Sequence, residues 1–309
     1  MSAILPRRIA QAGGAALAAG LIAAAWAAPA RADVPRNASL PALSPDGRRI
    51  AFVAGRGDSV WQVYVVNADG SGTVRLTDSR EGKYMPSWSA DGRWVHYQSD
   101  RGDTSTLSAV PREGGATKVV ASLNARTMVL SNDGRRLAYP VGTWTRNRIW
   151  VSAVDGSGAT AITDSSAGYF NLAWSPDDAR LAVTRSDSTG AMQVWVMNAD
   201  GGGARALTRF APGEARPQWP AWSRDGRKIA IQAGLYDRNA PGKNTAHIWV
   251  FDVASGAATR LATHDEPRLD ETPSWFPDGK RLAFQSDRTG RMEIWVMNAD
   301  GTRPRQVTR

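Results

Sequence analysis

Along most of the chain, apolar and polar residues alternate in short runs, the period of strands that bury one face. Arg49-Ile50-Ala51-Phe52-Val53 and Arg281-Leu282-Ala283-Phe284-Gln285-Ser286 are two such runs. Each follows an acidic turn: Asp46-Gly47, Asp91-Gly92, Asp133-Gly134, Asp225-Gly226 and Asp278-Gly279, with Asp177-Asp178 in the fourth copy. These dipeptides tolerate the positive φ of a tight hairpin. The turns recur at intervals of 45, 42, 44, 48 and 53 residues, each within the same order of segments. A first apolar segment ends in Trp-Ser (Trp88-Ser89, Trp174-Ser175, Trp222-Ser223), in Leu-Ser (Leu43-Ser44, Leu130-Ser131) or in Trp275-Phe276. The turn and the alternating run follow, then a third segment with an aromatic at a fixed place: Tyr64, Trp150, Trp195, Trp249 or Trp295. A second turn (Asn67–Gly70, Asn198–Gly201, Asn298–Gly301) leads to a short fourth segment ending in Leu76-Thr77, Ile162-Thr163, Leu207-Thr208 or Val307-Thr308.

Four strands per repeat at this period predict a β-propeller. The expected fold is all-β: six blades, each a four-stranded antiparallel sheet, near residues 39–78, 84–121, 126–164, 170–209, 218–262 and 271–309. The repeated Trp side chains are expected to form the core between blades. All units run from first to fourth strand in phase. The ring is therefore expected to close by packing between its first and last blades, unless 34–39 adds a strand at the seam.

The start of the chain follows a different pattern. Arg7 and Arg8 precede an Ala/Leu/Ile run over Ala10–Ala28 and an A-x-A site at Ala30-Arg31-Ala32. This reads as a secretory signal peptide over 1–32, which leaves 33–309 as a single domain. A periplasmic location is expected, with no membrane-spanning segment after cleavage. The chain has no cysteine, so stability is expected from packing rather than disulfides. The formal charge of +9 becomes +6 without Arg7, Arg8 and Arg31. Much of that charge follows the turns, at Arg48-Arg49, Arg135-Arg136, Arg227-Lys228 and Lys280-Arg281, and reads as a solvated rim balanced by the turn Asp residues. Nucleic acid is not an expected partner, given the export signal.

The repeat at Trp174–Thr208 and Trp275–Thr308, with its W-S-P-D-G start and I-W-V-M-N-A-D-G centre, resembles the propeller repeat of the TolB family. The resemblance covers Pro41–Arg309. It implies a periplasmic propeller that docks an envelope protein or lipoprotein within a Tol-Pal-like system. The same repeat also occurs in the propellers of prolyl-oligopeptidase-like enzymes and in some sugar lyases. The sequence departs from the family's best-known member, which has an α/β domain ahead of the propeller; here only Asp33–Leu40 separate the cleavage site from the first blade. The matching motif is scaffold, so the resemblance transfers no individual binding residue.

Propeller geometry puts both kinds of Gly-bearing turn on one face and gathers the variable loops on the other, where binding is expected. Counting four residues back from each Trp or Leu gives a ring at the channel mouth: Ser39, Tyr84, Arg126, Phe170, Gln218 and Glu271, with Trp219 and Asp270 alongside. Aromatics and opposed charges around a funnel suit recognition. Two loops add contacts, Trp144 and Arg146 in one, Tyr236 and Arg238 in the other. Ser99-Asp100-Arg101 and Ser286-Asp287-Arg288 repeat and read as turn-fixing.

Catalysis finds little support in these residues. His96, His247 and His264 are scattered, and no G-x-S-x-G elbow occurs. His264-Asp265-Glu266 with Asp270-Glu271 is the nearest approach to a metal-ligand set. The expectation is thus a non-enzymatic, monomeric docking scaffold with no catalytic residue, no bound metal and no cofactor, although a channel Ca²⁺ is compatible with the residues. The alternative is a propeller enzyme or ligand-binding protein, sugar lyase-like or peptide-binding, with a metal in the channel.

Overall fold

The computed structural model describes residues 36–55, 60–101, 104–235, 244–261 and 268–309. Blade 1 comprises β1 (Arg36–Leu43), β2 (Arg49–Gly55), β3 (Gln62–Asn67) and β4 (Val74–Arg75). Blade 2 has β5 (Tyr84–Trp88), β6 (Trp94–Arg101), β7 (Thr104–Pro111) and β8 (Lys118–Leu123); blade 3 has β9 (Val129–Leu130), β10 (Arg136–Gly142), β11 (Asn147–Ala153) and β12 (Thr160–Ala161). Blade 4 has β13 (Gly168–Trp174), β14 (Arg180–Ser186), β15 (Met192–Asn198) and β16 (Arg205–Ala206). Blade 5 has β17 (Arg216–Trp222), β18 (Lys228–Leu235), β19 (Thr245–Asp252) and β20 (Ala258–Arg260); blade 6 has β21 (Asp270–Trp275), β22 (Arg281–Ser286), β23 (Glu293–Asn298) and β24 (Arg305–Gln306). Each blade is one sheet of four consecutive strands, as the repeat predicts. The protein is a six-bladed, all-β propeller.

The first turn of each blade is locked by its own sequence. In blade 1 the Ser44 hydroxyl donates to Asp46 (2.6 Å), Asp46 accepts from the Arg48 N–H (3.0 Å), and Ser44 Oγ accepts from the Arg49 N–H (2.9 Å). Ser89, Ser131, Ser175 and Ser223 repeat the hydroxyl-to-Asp bond. Where Asp178 stands in place of glycine, it takes φ +55°. Its carboxylate accepts from the Asn132 N–H (2.8 Å), the Asn132 side-chain amide (2.7 Å) and the Asp133 N–H (2.9 Å), tying blade 4 to blade 3. The second turn packs beside the first, with the Ala68 N–H donating to Arg48 O and the Ala299 N–H to Lys280 O. Both turns therefore share one face.

In blades 1, 3, 4 and 6 the fourth strand ends earlier than the sequence suggests, because the Thr after it works through its side chain. Thr77, Thr163, Thr208 and Thr308 accept the N–H of Val63, Ile149, Val194 and Ile294 on Oγ1, at 2.9–3.0 Å. The hydroxyl replaces a backbone acceptor where the ladder stops.

Six apolar clusters fill the six blade interfaces. Val53, Val63 and Val65 of blade 1 meet Val95, Tyr97 and Val110 of blade 2. Ile50, Phe52 and Tyr64 of blade 1 meet Phe276, Ile294 and Val296 of blade 6. The predicted Trp residues lie in these layers, and four also tie neighbouring blades together. Nε1 of Trp88, Trp174, Trp222 and Trp275 donates to the carbonyls of Ala42, Val129, Ala173 and Ala221 on the preceding blade, at 2.9–3.2 Å. The basic residues after the turns are less solvated than the sequence suggests: Arg136 and Arg180 stack over Trp174 and Trp222, each at 4.7 Å from the ring centre. Among the described residues, no strand is shared at the seam. Leu40 N–H donates to Gln285 Oε1 (2.9 Å), Leu43 N–H to Ser274 Oγ (3.2 Å), and Arg305 to the carbonyls of Ala68 and Asp69.

Candidate functional site

The innermost strands of five blades carry a β-bulge at one place. Register shifts fall between Ser39 and Ala42, Tyr84 and Ser87, Phe170 and Ala173, Gln218 and Ala221, and Glu271 and Ser274. The bulged residues Leu40, Met85, Asn171, Trp219 and Thr272 all have φ between +46° and +55°. Left-handed backbone at non-glycine residues costs about 1–3 kcal/mol each and persists only where the surroundings enforce it. Glutamines from neighbouring second strands supply part of that enforcement. Gln285 Oε1 accepts the Leu40 N–H, Gln232 Oε1 accepts the Thr272 N–H (2.8 Å), and Gln98 brackets Met128 in blade 3 through both its N–H and its carbonyl.

This collar divides the channel. At its level a cavity of about 250 Å³ is lined by Leu40, Met85, Met128, Ala173, Trp219 and Thr272, one residue from each blade. On the turn face the channel opens into a chamber of about 630 Å³. On the opposite face, a mouth pocket of about 250 Å³ is bounded by Arg216, Gln218, Trp219, Gln232, Glu271, Thr272 and Gln285. Glu271 accepts a hydrogen bond from Gln285 Nε2 (2.8 Å), which fixes the carboxylate at the rim. An indole, a carboxylate, a guanidinium and several amides thus meet in one space.

Of the residues expected at the mouth, Gln218, Trp219 and Glu271 come together in this pocket. Arg126, Phe170 and the loop residue Trp144 form a second group. Trp144 is 62% exposed, stacks on Phe170 with centroids 5.6 Å apart, and has the Arg126 guanidinium 4.5 Å from its ring centre. Arg126 precedes the two-residue β9 rather than entering it. Ser39 is buried in β1. Tyr84 turns back onto its own blade, its hydroxyl within 3.3 Å of Ser105 Oγ; burial, then the hydrogen bond with Asp100, pushes its phenol up. Asp270 is withdrawn from the mouth: it is fully buried and paired with Arg288 at 2.8 and 2.9 Å, and Arg288 lies over the Phe284 and Trp295 rings. Arg146 shapes its hairpin, its carbonyl accepting from the Thr143 N–H (2.8 Å). Tyr236, Arg238, His264, Asp265 and Glu266 lie outside the described residues. Asp287 accepts the Leu269 N–H, and Asp100 accepts from Ser105, in keeping with their expected structural roles. Counting one position per strand missed Arg216, two residues before Gln218 on the same strand, and Thr272, which sits in the bulge. Among the described residues, no three His, Cys, Asp or Glu side chains gather as a metal-ligand set.

The family profile described as the TolB beta propeller domain (PD40) matches residues 26–169. Dipeptidyl-peptidase 5 of Porphyromonas gingivalis is 23% identical over 86% of this chain, which spans 47% of that enzyme. TolB of Acinetobacter baumannii superposes with a TM-score of 0.68 at 20% identity, over 86% of this chain and 64% of that one. Puromycin hydrolase superposes with a TM-score of 0.60 at 14% identity, over 88% and 53%. The expectation of a non-enzymatic docking scaffold does not stand against this set, since a curated relative along most of the chain is a peptidase. That expectation rested on the lack of a catalytic triad within the repeats. Repeats that build a frame need hold no nucleophile for the molecule they serve to be an enzyme. Residues 26–169 thus match the TolB beta propeller repeat, and the chain shares the propeller fold of these solved structures.

Proposed function

We propose that this chain is the substrate-holding propeller of an enzyme acting on peptides, with the mouth pocket as the place where the peptide sits. The observation that carries the reading is the meeting of Trp219, Glu271 and Arg216 in one pocket at the rim of a strained collar. A peptide presents an ammonium group, backbone amides and side chains of mixed polarity. The Glu271 carboxylate matches the ammonium, the amides of Gln218 and Gln232 match the backbone, and the Trp219 indole offers an apolar wall. The Arg126–Trp144–Phe170 stack, from the other side of the ring, adds an exposed aromatic surface for a longer peptide. The peptidase relative supports the reading, and bond cleavage is proposed for the whole enzyme rather than for a residue of the pocket. The basic start, the apolar run and the A-x-A site over 1–32 support action in the periplasm.

The test uses the full chain, titrated calorimetrically with a free-amine tetrapeptide and its N-acetyl form, alongside a hydrolysis assay on dipeptidyl amides. The free-amine peptide binds better, and Glu271→Gln and Trp219→Ala each weaken it about tenfold or more, the loss of one charged or aromatic contact. Absence of peptide binding, together with binding of oligo-uronides, would replace this reading by the lyase-like one.

A further inference from the structure

The turn-face chamber is separate from the mouth pocket and shares no lining residue with it. Two of its lining residues depart from the repeat. His96 occupies the second-strand position that is Ala51, Ala138, Ala182, Ala230 and Ala283 in the other five blades. Arg224, after the Ser of the blade 5 turn, stands where blades 1, 4 and 6 have Pro45, Pro176 and Pro277. Blades 2 and 5 face each other across a six-bladed ring, so the departures lie on opposite walls. Scaffold positions that break the pattern at one cavity are not required by the fold.

His96 is 8% exposed, and its Nδ1 is sealed from solvent without a hydrogen-bond partner. No described residue hydrogen-bonds Nδ1, so it is the nitrogen left for a ligand. Burial, followed by repulsion from Lys118, lowers the imidazole pKa to about 4, so the ring is neutral near pH 7. An unpaired buried polar group costs free energy that a bound partner recovers. Arg224 is exposed and forms no ion pair among the described residues. Arg136, which also lines the chamber, is already engaged with the Trp174 face and the Asp178 carbonyl. The chamber is also lined by Trp88, Trp174, Trp222 and Trp275. At about 630 Å³, the chamber has the size of a small-molecule site.

We propose that the turn-face chamber binds a small aromatic carboxylate, its anion on Arg224, its ring among the indoles and a hydrogen bond from its polar edge to His96. Such a ligand satisfies the free cation, the unpartnered imidazole and the apolar wall together.

Cinnamate and its uncharged amide, cinnamamide, serve as probes for the full chain, read by quenching of indole fluorescence and by calorimetry. Cinnamate binds saturably and more tightly than cinnamamide. Arg224→Pro, the residue of three other blades, weakens cinnamate about tenfold and abolishes the preference, as loss of a charge-assisted contact requires. His96→Phe, which keeps ring volume without nitrogen, weakens both compounds. The proposal is overturned if the parent shows no saturable binding. It is equally overturned if Arg224→Pro and His96→Phe bind cinnamate as the parent does, leaving the imidazole as a space-filler.

Discussion

At the level of single side chains, the turn aspartates and His96 give the fold two acid-sensitive ranges. Serine hydroxyl bonds first, and backbone N–H bonds second, hold the carboxyls of Asp46, Asp91, Asp133, Asp177 and Asp225 below the ordinary 3.8. A depressed carboxylate pKa contributes stability that is complete above the unfolded value and is lost as the pH falls through the folded one. These turns therefore weaken only below pH 3.8. His96 acts higher. Its folded pKa of about 4 lies under the ordinary 6.5, through burial and the nearby Lys118 ammonium, with Asp91 opposing. The unfolded chain takes up the proton first, so stability falls between pH 6.5 and about 4 and levels beneath. Melting temperatures from neutral pH to 3 should show both limbs, and His96→Gln should flatten the upper one alone. An unchanged upper limb in that variant would mean the ring is not held neutral.

At the level of strands and interfaces, four Trp residues act twice, as packed rings and as hydrogen-bond donors to the preceding blade. Trp222→Phe keeps most of the ring and deletes the bond to Ala173 O, leaving a carbonyl without its donor. A loss of about 1–3 kcal/mol is expected, against about 3–5 kcal/mol for Trp222→Ala, which also opens a cavity. Denaturant unfolding separates the two; equal losses would make the bond irrelevant. The strand order and the Asp-Gly turns were legible because every copy restates them, and period-2 alternation has one good solution at that spacing. The bulge collar was not. Leu40, Met85, Asn171, Trp219 and Thr272 share no side-chain chemistry, and at Leu40 and Thr272 the left-handed backbone is held from the neighbouring blade by Gln285 and Gln232. The one local trace is the proline after four of them: Pro41, Pro86, Pro220 and Pro273. A site read by counting along the strand recovered Glu271 and Trp219 but placed Asp270 at the mouth, although adjacent strand residues face opposite ways and Asp270 is buried in the Arg288 pair.

For the ring as a whole, the decisive feature is that each blade is made of consecutive strands, so among the described residues no main-chain ladder links the first blade to the last. Closure rests on side chains, and the seam also lacks the usual Trp, since Leu43 takes that place in blade 1. Blade 6 compensates. Phe276 replaces the turn serine found in the other blades, is fully buried between the two sheets, and carries Arg281 stacked at 4.1 Å, as Arg180 stacks on Trp222 elsewhere. Losing the serine also costs the turn its hydroxyl bond, and Asp278 pairs with Arg281 instead at 2.9 Å. The seam has thus exchanged local turn rigidity for packing between blades. Phe276→Ala should therefore cost about 3–5 kcal/mol, and the loss should be spatially selective. Native-state hydrogen exchange should show amides of β1, β2, β22 and β23 opening together below the global unfolding free energy, while those of β14 and β15 keep full protection. If β14 and β15 lose protection in step with β1, the ring opens as one unit and the seam is not its weakest joint.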